Sequence, residues 1–221
     1  MLIIFDLDDT LIDTTGCVTP LQLEKALLKM VEKGLEAGDF EEALTTLKRM
    51  DSSSESALHT LKEFLDIIDG DAAFLDIGES IIYGEIAEDT TIFALEDAEA
   101  VLEQLKEHHQ IALVSKGKTD QQLLKMKNAG LDSGLFSKIV FSEHVDKRPS
   151  YEKVLQELNV TPDKTVVCGD RIGRDLTPAK QLGCLTIQMQ WGRGLASKGP
   201  ASDVDFKIRR LNQILEIIDK L

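Results

Sequence analysis

Leu2-Ile3-Ile4-Phe5-Asp6-Leu7-Asp8-Asp9-Thr10-Leu11 is a run of strand-forming residues that stops abruptly in acids and a threonine. Ile and Phe suit a pleated, buried surface and Asp does not. The pattern therefore predicts a strand over 2–6 that delivers carboxylates at its carboxyl end. Asp6 and Asp8 are two apart, which in an extended segment puts both side chains on the same side. Two carboxylates held together repel unless a divalent cation, a shared proton or both offset the charge.

Outward from this stretch, a loop carrying Thr14, Thr15, Gly16 and Pro20 leads into a helical pattern from Thr19. Leu21, Leu23, Ala26, Leu27, Met30 and Val31 keep helix spacing up to Gly34. Further helices are expected at 39–50, 55–69 and 71–84, with Ser53 or Ser54 capping the second of these. No strand is read between 19 and about 90. The character then changes. A helix at 96–108 precedes a strand at Ile111–Ser115, and a helix at 119–129 ends at Gly130. A strand at 138–142, a helix at 150–158 and a strand at 165–169 follow. A helix at 175–182 stops at Gly183, a strand takes 184–189, and a last helix takes 205–220. Strands alternating with helices imply an α/β fold, a doubly wound parallel sheet. The expected organisation is an α/β core from 1–13 and 91–221 with an all-helical domain, 14–90, inserted after the first strand.

Composition narrows the function classes. The 221 residues are 43% hydrophobic and 29% charged, ordinary for a soluble globular chain. A formal net charge of −14 argues against nucleic acid or an anionic membrane as partner, since both would be repelled. An anionic substrate would need local positive charge. Cys168 and Cys184 lie in apolar runs and read as buried small hydrophobes, and with Cys17 they show no metal-type spacing. No apolar run approaches the roughly 20 residues that span a bilayer, and no leader is read at the start. The expectation is a reduced, cytoplasmic protein.

Four strand ends carry polar residues: Asp6 and Asp8; Ser115 with Lys116 and Gly117; Asp146-Lys147-Arg148-Pro149; and Gly169-Asp170 with Asp175 beyond. In a parallel open sheet these ends converge on one crevice. Asp6, Asp170 and Asp175 offer hard oxygens of the kind Mg²⁺ takes. Lys147 offers a point charge for a phosphate or a carboxylate. Ser115 offers a hydroxyl, and the turn after it offers backbone N–H groups at a helix start. An aspartate can attack phosphorus, and a second one can move protons. Trp191-Gly192-Arg193-Gly194 reads as a plain loop. Arg171, Arg174 and Arg193 read as surface or ion-pairing residues. His59, His108, His109 and His144 show no ligand spacing.

These motifs resemble those of the haloacid dehalogenase-like hydrolase superfamily, mostly Mg²⁺-dependent phosphatases. Phe5-Asp6-Leu7-Asp8-Asp9-Thr10-Leu11 is similar to the DxDx(T/V) motif, Val114-Ser115 to the second, Lys147 to the third, and Gly169-Asp170 with Asp175 to GDxxxxD. The resemblance implies that Asp6 is the nucleophile and a metal ligand. Asp8 would be the general acid/base, ligating the metal through its backbone carbonyl. Thr10, Ser115 and the Lys116 N–H would hold the phosphate, Lys147 would pair with Asp6 and the phosphate, and Asp170 and Asp175 would complete a Mg²⁺ site. The block at 14–90 sits where the family inserts a helical cap. The sequence departs from common family forms at Asp9, at Lys116-Gly117, at Arg174 and at the third motif, where Arg148 directly before Pro149 competes with Lys147. The reading is a Mg²⁺-dependent phosphatase acting on a small phosphorylated metabolite through an aspartyl-phosphate, as a monomer or homodimer. A phosphoryl-transferring mutase, a haloacid dehalogenase and a non-catalytic binding module stand as alternatives.

Overall fold

Strand β1 (Leu2–Phe5) has every residue fully buried, because it lies in the middle of a six-stranded sheet. The structure is a computed structural model that describes residues 1–142 and 144–221. The other strands are β2 (Gln110–Lys116), β3 (Lys138–Ser142), β4 (Thr165–Gly169), β5 (Leu185–Met189) and β6 (Phe206–Ile208). Their order is β3-β2-β1-β4-β5-β6, and every pairing is parallel. Parallel sheets are covered on both faces, which is why β1 and β4 read as unbroken apolar runs. The register sets Phe5 level with Leu113 on one side and Cys168 on the other. Residues just past these points therefore leave the sheet at the same end. The chain winds from β1 outward to β3, then returns to β4 on the opposite side of β1. That reversal opens the crevice in which such sheets bind ligands.

The described residues form two compact units, Met1–Asp13 with Thr91–Leu221, and Thr14–Thr90. The second unit holds α1 (Thr14–Cys17), α2 (Thr19–Glu32), α3 (Phe40–Asp51), α4 (Ala57–Ile67) and α5 (Ala73–Ile82). Its core is built from Leu23, Leu27, Met30, Leu44, Leu47, Leu61 and Phe64, which recur at helical spacing along α2, α3 and α4. Asp39 caps α3 by accepting from the Glu42 N–H at 3.0 Å. Ser56, not Ser53 or Ser54, caps α4, accepting from the His59 N–H at 3.1 Å. The upstream serines finish the preceding helix instead: Ser52 and Ser53 hydroxyls donate to the carbonyls of Arg49 and Met50.

The first unit holds α6 (Ala98–Lys106), α7 (Thr119–Asn128), α8 (Arg148–Leu158), α9 (Thr177–Leu182) and α10 (Gln213–Ile218). One side of the sheet packs Leu2, Ile4, Ala112, Val114 and Val167 against Tyr151, Val154 and Ala179. The helix expected at 205–220 is in fact the strand β6 followed by the shorter α10. Phe206-Lys207-Ile208 joins the sheet edge, with Ile208 level with Met189. Leu211, Ile214 and Ile218 supply the buried helical face that made the whole stretch look continuous. Among the described residues, no helix is long and apolar enough to cross a membrane.

Candidate active site

Asp6 follows β1 directly, and its N–H donates to the Cys168 carbonyl at 3.0 Å, one step beyond the strand's last paired residue. Its Oδ1 accepts from the Leu7 N–H at 2.8 Å. The chain then turns tightly. The N–H groups of Thr10, Leu11 and Ile12 all point at the Leu7 carbonyl, with Asp9 at φ 55°, a left-handed conformation that Asp tolerates better than most residues. On the other side of β1, β4 ends at Gly169 with Asp170 just beyond it, and a π-type turn over Ile172–Leu176 carries Asp175. Asp175 Oδ2 accepts from the Arg171 N–H at 2.8 Å. Gly169 is required here, because a Cβ on it would lie 2.6 Å from the Asp175 Cβ.

Asp6, Asp170 and Asp175 thus meet, each presenting a carboxylate oxygen within 4.8 Å of the other two, and all three are buried. Lys147, at the start of α8 and only 3% exposed, reaches into this cluster. Its Nζ lies 2.8 Å from Asp6 Oδ1 and 2.6 Å from Asp175 Oδ1. These are buried ammonium–carboxylate ion pairs. Arg148 turns away and pairs with Glu152 on the exposed side of α8.

The electrostatics follow from burial. Desolvation is the largest influence on Asp6; Lys147 opposes it, Asp175 and Asp8 add to it, and the carboxyl is pushed up to about 6. Asp170 is held well above the ordinary carboxylate range, first by burial and then by Asp175 and Asp6. Burial would lower the Lys147 ammonium, but Asp175 and Asp6 outweigh it and hold it well above its usual value. With all groups ionised, three buried carboxylates face one buried ammonium, a surplus of two negative charges. All-carboxylate oxygen donors with that surplus fit a divalent cation.

Thr10 is fully buried, and its Oγ1 has no hydrogen-bond partner among the described residues. Ser115 is the last residue but one of β2 and is 1% exposed. Lys116 ends the strand, and Gly117, at φ 150°, turns the chain toward α7. Asp8 lies 26% exposed on its side chain and faces α7.

Two residues of α7 escape a reading by sequence. Gln122, buried to 1%, donates from Nε2 to Asp8 Oδ2 at 2.9 Å and to Ser115 Oγ at 2.9 Å. Lys125 Nζ lies 2.8 Å from Asp8 Oδ1. Their only sequence signal is position, in the first turns of the helix that follows Ser115. The loop at 191–194 is also more than a plain connector. Trp191 Nε1 donates to Asp13 at 3.1 Å, the Arg193 N–H donates to Asp9 at 3.4 Å, and Gly194 packs so closely that a Cβ there would sit 3.1 Å from the Asp170 Cβ. It buttresses the turns that carry Asp9 and Asp170. His59 pairs with Glu63, and His109 lies against the amino terminus, so neither belongs to this cluster.

This geometry can be set beside known proteins. Two curated relatives are named glyceraldehyde 3-phosphate phosphatase. The one from Methanocaldococcus jannaschii is 26% identical over 230 residues, covering 99% of this chain and 97% of the relative. The one from Pyrococcus furiosus is 27% identical over 231 residues, covering 99% and 92%. Among solved structures, a predicted phosphoglycolate phosphatase from Haemophilus somnus superposes with a TM-score of 0.72 at 18% identity, covering 98% of this chain and 97% of that one. A HAD phosphatase from Thermococcus onnurineus superposes with a TM-score of 0.64 at 20% identity, covering 98% and 97%. Those two likenesses speak to the fold. The family model described as haloacid dehalogenase-like hydrolase matches residues 1–183, a span that takes in β1, β2, β4 and every residue of the carboxylate cluster. The chain belongs to the haloacid dehalogenase-like hydrolases.

Proposed function

We propose that the protein is a Mg²⁺-dependent phosphatase that hydrolyses a small phosphorylated metabolite through an aspartyl-phosphate. The observation that carries this reading is the buried cluster of Asp6, Asp170 and Asp175 with Lys147. Bare carbon–halogen hydrolysis has no use for two further buried carboxylates beside the nucleophile. Mg²⁺ held by these three carboxylates would balance their charge and that of the phosphoryl oxygens.

Asp6 attacks phosphorus, forming the aspartyl–phosphorus bond as the bond to the leaving alcohol breaks. Asp8 gives that alcohol oxygen its proton. Water then attacks the same phosphorus, Asp8 takes the water's proton, and the aspartyl–phosphorus bond breaks to release inorganic phosphate. Lys147 offsets the charge that builds on the phosphoryl oxygens. The unpartnered Thr10 hydroxyl and the Ser115 hydroxyl are the donors we assign to the phosphate, with the Lys116 N–H beside them. The helical unit Thr14–Thr90 serves on this reading as the cap that admits and selects the substrate. We place the reaction in the cytoplasm, in a monomer or homodimer.

The names of the relatives make glyceraldehyde 3-phosphate the first substrate to try. The test is release of inorganic phosphate from it, and from a generic aryl phosphate, with Mg²⁺ and with a chelator, beside Asp6→Asn. Turnover that ignores the metal, or a fully active Asp6→Asn, overturns the proposal. Transfer of the phosphoryl group to a sugar acceptor in place of water would mark a mutase.

A further inference from the structure

We infer that Gln122 and Lys125 on α7 are positioning residues that lock the Asp8 carboxylate in register with the Ser115 hydroxyl. The inference rests on the proposed roles of Asp8 and Ser115. It adds residues that no motif contains.

The geometry is closed on three sides. Around Gln122 Nε2 stand Asp8 Oδ2 at 2.9 Å, Ser115 Oγ at 2.9 Å and the Lys116 carbonyl at 3.2 Å. The carboxylate and the carbonyl can only accept, so the amide is oriented with its nitrogen toward them, its two protons shared among the three oxygens. One buried group thus ties the end of β1 to the end of β2 through side chains. Lys125 grips the other oxygen of Asp8 at 2.8 Å. With both oxygens engaged, the Asp8 carboxylate has one orientation and not a choice of rotamers.

The same bond shapes Ser115. A hydroxyl that accepts from Gln122 keeps its own proton for another partner, so Ser115 is turned into a donor. A phosphate oxygen has only acceptor capacity to offer such a group. Gln122 thereby fixes the phosphate-binding hydroxyl and the proton-handling carboxylate at once.

The local backbone is built around this side chain. Gly117 sits at φ 150°, and a Cβ there would lie 3.0 Å from both Cγ and Cδ of Gln122. The turn after β2 is therefore closed directly over the Gln122 stem. Lys125 and Gln122 are three residues apart, one helical turn, so a single face of α7 serves both oxygens.

The effect expected is on the chemical step. Proton delivery matters for an ester with a poor leaving group, such as phenyl phosphate, and hardly at all for 2,4-dinitrophenyl phosphate, whose phenolate leaves unaided. Rapid-quench measurement of the first turnover, with Mg²⁺ present, separates the two. In Lys125→Met and Gln122→Met the first-turnover rate on phenyl phosphate falls roughly 10- to 100-fold, the weight of one charge-assisted hydrogen bond. On dinitrophenyl phosphate the Lys125→Met rate stays within about 3-fold, as does its KM for phenyl phosphate, whereas Gln122→Met, which also releases Ser115, loses rate on both esters. Lys125→Arg, which keeps a donor and a charge, restores the rate. Thermal unfolding shows that each variant folds, and Lys125, with its side chain 14% exposed, carries the test if Gln122→Met does not fold.

Equal losses on both esters in Lys125→Met, a change confined to KM, or no rescue by Lys125→Arg overturns the positioning role. Unaltered rates in both variants, with the wild type active, overturn it alone and leave the phosphatase reading standing. A wild type that turns over neither ester overturns that reading, and the positioning role with it.

Discussion

Replacing Lys147 by Met removes the ammonium buried in this cluster and keeps most of its stem. Asp6 Oδ1 and Asp175 Oδ1 then lose contacts of 2.8 and 2.6 Å, and three buried carboxylates stand with no counter-charge. Breaking a buried pair by deleting one partner costs about 3–5 kcal/mol, because the remaining charge stays desolvated. For a chain of this size that corresponds to a fall in Tm of about 6–20 °C. Protonation offers an escape. Asp6 already sits at about 6 and Asp170 is held high, so at pH 5 the orphaned carboxylates take up protons and the loss shrinks. At pH 8 they cannot do so cheaply, and the full cost is felt. The assay is thermal unfolding of wild type and Lys147→Met by circular dichroism in a chelating buffer at both pH values. Adding Mg²⁺ should recover more stability in the variant than in the wild type, since the site has gained a negative charge, while turnover stays lost by at least about 100-fold. A variant within about 2 °C of wild type at pH 8 refutes the reasoning. So does a loss that is equal at pH 5 and pH 8.

Three further outcomes are expected. Burial, the largest influence, raises Asp6 from 3.8 to about 6, so the folded chain holds a proton there that the unfolded chain has lost between those values. Stability without metal therefore falls as pH rises from about 4 to about 6, and the gain in Tm on adding Mg²⁺ grows over the same window; a gain independent of pH would contradict this. Thr10→Val removes a buried hydroxyl that has no partner among the described residues, so Tm should hold or rise, by up to about 1–3 kcal/mol in stability, while KM for the phosphate ester rises; a clear loss of Tm refutes the assignment. Gly169→Ala forces Asp175 aside by driving a Cβ to 2.6 Å from its own, and should weaken Mg²⁺ binding by roughly 10-fold or more in a calorimetric titration, with unchanged affinity as the refuting result.

How much of this is legible without a third dimension depends on where a residue sits. The parallel sheet is legible because strands covered on both faces are apolar runs, as in Leu2–Phe5 and Thr165–Gly169. Asp6, Ser115 and Asp170 are legible because each terminates such a run, and the sheet register sends them out at one end. β6 is not, since three residues at a sheet edge carry too short an alternation to separate from the helix behind them. Gln122 and Lys125 are not, because a polar residue in the first turns of a helix looks the same whether it faces water or a buried carboxylate. Which of Lys147 and Arg148 stands beside Asp6 is likewise visible only in which way the start of α8 points each side chain.

The central place of β1 has a consequence for synthesis. Leu2 pairs with Gln110 and Thr165, so both neighbours of this strand emerge long after it. At about 5–20 residues per second, the second partner follows some 8 to 33 seconds behind the first strand. Until β2 emerges a fully apolar β1 has two open edges, and until β4 emerges it has one, the state in which nascent chains pair wrongly or associate. The intervening helices make mostly local contacts and can form while it waits. Assembly of the cluster around Asp6 is therefore a late event on the ribosome, and the segment most in need of protection in the meantime is the one that leads into Asp6.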